Sequence, residues 1–381
     1  MVTRRRVVVS LSALGAGTLA GCGPAMPERI KIGVVVALSG PFAPRGNDLL
    51  RGAQMAAEEL NRMPFKIAGR VLPVEIVSAD DKGEIDAAVA GARQVIEAGA
   101  VAVIGPMNTP QAVKMIPVIA EAGKPHLFTA TAANLHAAGK GNTFRLLAND
   151  DLQGKAAATF VHENLRAQRI AVVYESGEYG TGLNNAFTAA LTQLKGQVVA
   201  AVPVDSKSEI TAELARKLKA DAIDTIVFFS RDPHLKGLFK SLQEVGHTGV
   251  TLVGSNVVRN RVTITNGVPV KAMYATATAI DAKEFVNGAR FVEAFQAQFK
   301  EPPVWGAHYA YDAVHAIAGA AASIESTDGA KLIERLKAKE PRTRVNEQMR
   351  WTSDGEQKYA SIAVYEAERS AWVLQMRSSQ W

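Results

Sequence analysis

Residues 101–133 read Val101-Ala102-Val103-Ile104, then Gly105-Pro106-Met107-Asn108-Thr109-Pro110, then a helical pattern closed by Gly123. A second short apolar run, His126 to Thr129, leads into Ala130-Thr131-Ala132-Ala133. A four-residue apolar run bounded by turn residues fits a buried parallel strand. Gly-Pro ends it. Thr109-Pro110 is a helix start, with Thr as N-cap and Pro where a missing N–H costs nothing. Such a helix N-terminus offers free N–H groups and about half a positive charge to an anion. The next strand would bring Thr129 and Thr131 to the same end of the sheet, the end at which open α/β sheets bind ligands. A simpler reading is open at this point: Thr109 caps its helix and the other hydroxyls only serve a loop.

Outward from this stretch the pattern repeats. Ile30–Leu38 and Val71–Val77 read as strands, with helices near Gly46–Asn61 and Asp86–Ala98 between and after them. Pro117 is expected to kink the helix after Thr109. Asn149-Asp150-Asp151 suits a helix cap, and a second series then begins. Its helices are placed near 152–166, 182–194, 209–218 and 233–245. Its strands are placed at Ile170–Tyr174, Val198–Val202, Thr225–Phe229 and Val250–Val253. Strands alternating with helices predict two parallel sheets, each covered on both faces. Later helices (284–299, 308–323, 330–337) and two late strands (359–365, 371–375) must return to sheets already made, which implies crossovers and a hinge.

The composition agrees with a globular chain of two domains: 381 residues, 48% hydrophobic and 21% charged. Thr3 to Arg6 is basic, Val7 to Ala20 is apolar and uncharged, and Leu19-Ala20-Gly21-Cys22 closes the segment. That run is too short to span a bilayer and reads as an export signal. It resembles the bacterial lipobox, which implies cleavage before Cys22 and lipidation of Cys22. Removing Arg4, Arg5 and Arg6 lowers the formal charge from +6 to +3. There is no basic stripe interleaved with aromatics, so nucleic acid is a poor partner. Cys22 is the one cysteine, which excludes a disulfide scaffold or a cysteine-rich metal site. The glycine loop Gly177–Gly182 lacks dinucleotide spacing, there is no P-loop or G-x-S-x-G turn, and the histidines have no metal-ligand spacing. The sequence therefore calls for neither an enzyme nor a cofactor.

Together, Ile32-Gly33-Val34, Leu38-Ser39-Gly40-Pro41, Gly46, Gly52-Ala53, Ile104-Gly105, Thr129-Ala130-Thr131, Arg145, Asn149-Asp150, Ile170–Tyr174, Tyr179-Gly180, Gly182 and Tyr309–Ala313 resemble one family. It is the leucine/isoleucine/valine-binding family of type I periplasmic substrate-binding proteins of ABC transporters. The resemblance implies an α/β fold of two Rossmann-like lobes joined by a three-strand hinge. The expected division is a signal peptide at 1–21, a tether at 22–29, lobe 1 at 30–147 with 279–349, and lobe 2 at 148–278 with 350–381. The resemblance also implies that Thr109, Thr129, Ala130, Thr131 and the backbone of Met107 hold a ligand carboxylate, and that Tyr179 covers the ligand. The expected partners are a small amino or organic acid, an ABC permease with its ATPase, and a membrane reached through a lipid anchor outside the cytoplasm. A lipoprotein that senses the ligand and signals to a membrane receptor is the alternative.

The sequence departs from the amino-acid binders at Asn256, where an acid usually meets the ligand's ammonium group. A neutral amide is a weaker partner for a buried cation. Asp232 could supply the missing charge, or Arg231 could take a second carboxylate. Arg45 stands near the expected cleft, where an aromatic or small residue is common. These changes bring an organic acid without an ammonium group into consideration.

Overall fold

The computed structural model describes residues 27–378, save 64, 65, 266, 342, 347 and 370. The apolar N-terminal segment and Cys22 lie outside the described residues. Two parallel sheets form the body. The first, in the order β4-β1-β5-β6-β7, uses Ile30–Val36 (β1), Val74–Asp80 (β4), Ala102–Ile104 (β5), His126–Phe128 (β6) and Thr143–Arg145 (β7). Lys66–Ile67 (β2) and Arg70–Val71 (β3) make a small separate hairpin, so the strand expected at 71–77 starts three residues later. The second sheet contains Ile170–Glu175 (β8), Val198–Val204 (β9), Thr225–Phe229 (β10), Thr251–Gly254 (β11) and Ala272–Ala277 (β12), in the order β9-β8-β10-β11-β12. Both series share one strand order. Ala363–Glu368 (β13) and Ala371–Arg377 (β14) then add antiparallel to β12.

Helices cover both faces of each sheet. On the first sheet, Ala43–Arg62 (α1) and Ala307–Ser323 (α10) pack on one face, Ile85–Glu97 (α2) and Thr109–Glu121 (α3) on the other. On the second, Asp150–Thr159 (α4) and Glu178–Gln193 (α5) face Ala212–Ala220 (α6) and Asp232–Glu244 (α7) across the strands. Strand alternation assigns the faces: Ile226 and Phe228 join the α6/α7 core, Val227 and Phe229 the α4/α5 core. Arg261–Ile264 (α8), Gly288–Phe299 (α9) and Gly329–Ala338 (α11) complete the set.

Two buried devices lock lobe 1. Gly52 is where α1 meets α10: a Cβ there would lie 1.9 Å from the Ala307 carbonyl oxygen. Asp48 accepts from the N–H groups of Val304, Trp305, Gly306 and Ala307 at 2.8–3.0 Å, satisfying the free start of α10.

Among the described residues the chain passes between the sheets three times: after β7, after β12, and before β13. Residues near 351–357 stay with the first sheet, although 350–381 were expected with lobe 2. Arg145 N–H donates to Gly355 O at 2.9 Å, and the Trp351 indole donates to Arg145 O at 2.7 Å. The third crossing therefore falls after Glu356. A groove of about 1150 Å³ runs along these crossings, lined by residues that include Leu147, Ala148, Thr278, Ile280, Gln357 and Ser361 but none of the predicted threonines.

Candidate functional site

β5 and β6 are adjacent and in register (Val103 with His126, Ile104 with Leu127), so their following loops leave the same sheet edge. Thr129 N–H donates to Pro106 O at 3.3 Å and ties those loops together. The structure thus brings Met107 and Thr109 beside Thr129, Ala130 and Thr131, all buried. Asn108, not Thr109, is the N-cap residue of α3, and its side chain makes no cap bond. Thr109 is the first helical residue and Pro110 the second. The Thr129 hydroxyl is buried and has no hydrogen-bond partner among the described residues.

Arg145 shapes this loop from beneath. It is fully buried, and its guanidinium donates to the carbonyls of Ala130 and Ala132 and, at 3.4 Å, of Ala133. Its charge is met by Glu356 through two 2.9 Å bonds. Burial opposes ionisation of Glu356, but hydrogen bonds from His136 and Arg145 overcome it and lower its pKa to about 2. The sequence offered Arg145 only as part of a resemblance. Its partners lie up to 211 residues away.

Asp150 is the larger omission. Asn149 caps α4 as expected, accepting from Leu152 N–H at 3.0 Å. Asp150, the first residue of the helix, turns inward instead of completing the cap. Its N–H donates to Thr131 O at 2.8 Å, its carboxylate lies beside the Thr131 hydroxyl, and it is 2% exposed. Neither carboxylate oxygen has a hydrogen bond of good geometry among the described residues. Burial raises its pKa to about 7 despite the Thr131 hydroxyl and the Arg145 charge.

The second sheet supplies the opposite wall. Loops after β8, β10 and β11 leave the edge where these neighbouring parallel strands end. Tyr179 lies in the first turn of α5, not in a loop before it, and its hydroxyl donates to Asn256 Oδ1 at 3.0 Å. Burial and the nearby Asp150 charge push the phenol well above its usual range. Ser255, beside Asn256, is fully buried and its hydroxyl lacks a partner of good geometry among the described residues. Arg45, from α1 of lobe 1, reaches the carbonyls of Asn256 and Val257 at 3.3 and 3.4 Å and so spans both walls.

Two predicted residues are occupied elsewhere. Arg231 was expected to take a ligand carboxylate. Instead its side chain is half exposed and engages both carboxylate oxygens of Glu175. Glu175 ends the neighbouring strand, an adjacency that sequence separation hid. Asp232 was a candidate for the missing acid. Asn260 Nδ2 contacts both its oxygens at 3.0 Å. The residues that the structure brings together across the two walls are therefore Thr109, Thr129, Thr131, Asp150, Tyr179, Ser255, Asn256 and Arg45.

The periplasmic binding protein family profile matches residues 29–371 of this chain. The chain belongs to the type I periplasmic binding proteins. Within them it falls in the leucine/isoleucine/valine-binding family. It is 31% identical to the Leu/Ile/Val-binding protein BraC3 of Rhizobium johnstonii over 61% of this chain and 62% of that one. It is 28% identical to an amino acid binding protein of Pseudomonas aeruginosa over 93% of this chain and 94% of that one. Among solved structures, a leucine binding protein, LivK, from Thermotoga maritima superposes with a TM-score of 0.81 at 22% identity, covering 92% of this chain and all of that one. A solute binding protein from Rhodopseudomonas palustris in complex with 3,4-dihydroxybenzoic acid superposes at 0.77 with 16% identity, over 92% and 97%. These likenesses establish the two-lobed fold. Among the described residues of this binding protein, no helix is long and apolar enough to cross a membrane.

Proposed function

We propose that this protein captures a small carboxylate-bearing solute outside the cytoplasm and delivers it to an ABC permease and its ATPase, held at the membrane by a lipid on Cys22. The reading rests above all on one observation. Buried groups able to bind a ligand converge where the two sheets' carboxyl ends meet, and several of them serve no partner of good geometry among the described residues: the hydroxyls of Thr129 and Ser255 and the carboxylate of Asp150. Unpaired buried polar groups are costly, and a ligand that pairs them repays the cost.

The ligand's carboxylate is held by Thr109, Thr129 and Thr131, with the backbone of Met107 and Ala130 and the N-terminal N–H groups of α3. Tyr179 covers it, held in place by Asn256. Asp150 takes the role expected of an acid at position 256 and pairs with an ammonium group, which favours an amino acid over a plain organic acid. By touching both walls, the ligand stabilises the closed arrangement of a chain hinged at its three crossings.

A thermal-shift panel of amino acids and organic acids tests this. A true ligand at 100 times its Kd adds about 2.7 kcal/mol to stability. Folded protein that responds to no member of the panel would refute the proposal.

A further inference from the structure

Among the described residues near Asn256, Arg231, Arg259 and Asp232 are each taken by a partner of good geometry, whereas Arg45 is not. Arg231 is neutralised by Glu175. Arg259 donates to Asp281 at 2.8 Å and to Ala279 O at 3.2 Å, and lies 4.2 Å from the centre of the Tyr365 ring. Asp232 is held by Asn260. Arg45 has only two long bonds to backbone carbonyls and the Trp305 ring, 5.8 Å away. Among the described residues no carboxylate lies within ion-pair distance of it. Asp232 is near enough to be felt, but not to pair.

A guanidinium presents five donors in a planar fork that matches a carboxylate, and two carbonyls at 3.3 and 3.4 Å leave most of that capacity unused. Arg45 is half-buried, and partly withdrawing a cation from water without a counter-ion is unfavourable; no carboxylate among the described residues offsets that cost. Arg45 reaches the Asn256 carbonyl, the Asn256 side chain accepts from the Tyr179 hydroxyl, and the charges of both Arg45 and Asp150 are felt at that hydroxyl. They come from different elements: Asp150 sits beside Thr131, and Arg45 sits over Asn256.

We infer that the ligand carries a second carboxylate, at the end away from the threonines, and that Arg45 receives it as a forked ion pair; this rests on the ligand-binding reading above. The ligand class is then an acidic amino acid or a short dicarboxylic acid. The two share the distal carboxylate and differ in whether Asp150 has an ammonium partner.

Calorimetry on the full chain with matched pairs tests this: glutamate against norvaline, and glutarate against valerate. The wild type should prefer the dicarboxylate member of at least one pair by about tenfold or more. Arg45→Gln should bring that pair to within about threefold, and Arg45→Lys should restore part of the preference, since it keeps the charge but loses the fork. Melting curves establish that both variants are folded. A preference for glutamate identifies the acidic amino acid, and a preference for glutarate the dicarboxylic acid. Three results overturn the inference while the binding function stands: equal affinity within both pairs, a preference that survives Arg45→Gln, or tight binding of a panel compound with a single carboxylate. If folded protein binds neither these four compounds nor any panel member, the binding function falls and the inference with it.

Discussion

Acidification should weaken the binding of an ammonium-bearing ligand, and the site fixes by how much. Asp150 pairs with an ammonium only when ionised. Burial holds its pKa at about 7 in the unliganded protein. Below that pH the free protein carries a proton that binding must expel. With a free-state pKa of about 7 and a bound-state value of about 4 or lower, going from pH 8 to pH 5 reduces affinity roughly 80- to 90-fold, or about 2.6 kcal/mol. The assay is calorimetry with the best amino acid from the panel, at pH 8, 7, 6 and 5, in two buffers of different ionisation enthalpy to count the proton released. Asp150→Asn should bind more weakly at pH 8 and lose the pH dependence. Without ligand the same group has the opposite effect. Its folded pKa lies above the ordinary 3.8, so the stability it contributes is present at low pH and lost as pH rises from about 4 through 7. Affinity that stays flat from pH 8 to 5, or an Asp150→Asn variant with the wild-type profile, would refute the assignment.

Glu356→Gln removes the ion-pair partner of the fully buried Arg145 and should cost about 3–5 kcal/mol at pH 7 by urea unfolding. Because Glu356 titrates at about 2 when folded against an ordinary 4.5, its contribution is present above pH 4.5 and lost as pH falls towards 2. Wild-type and variant stabilities should therefore converge in acid, and parallel curves down to pH 3 would contradict the pairing. Gly52→Ala places a methyl 1.9 Å from the Ala307 carbonyl, where no rotamer relieves it, and should destabilise lobe 1 by about 3 kcal/mol or more. A melting temperature within a degree or two of wild type would show that α1 and α10 part easily.

The alternating series of strands and helices was legible because each element is specified locally. Short apolar runs stopped by glycine or proline make buried strands, and the repeat of these units predicts parallel sheets. The convergence of Met107, Thr109, Thr129 and Thr131 was legible for the same reason: consecutive strands of one parallel series lie side by side and release their loops at one edge. Strand boundaries were less legible. The run at 71–77 is apolar enough for a strand, but pairing with β1 selects 74–80.

Charge was where the sequence fell short. Arg231 and Asp232 looked available because nothing nearby in the chain claims them. Glu175, 56 residues earlier, and Asn260, 28 residues later, do so once the loops converge. Asp150 looked like a cap because an acid in a first helical turn stabilises it wherever it stands. Only the closure of α4 against the Thr131 loop withdraws that carboxylate from water. The order of strands and helices, and hence the fold, follows from local pattern. Which charges are spent on the protein and which are left for a ligand depends on pairs far apart in sequence, because an ion pair is decided by distance in space.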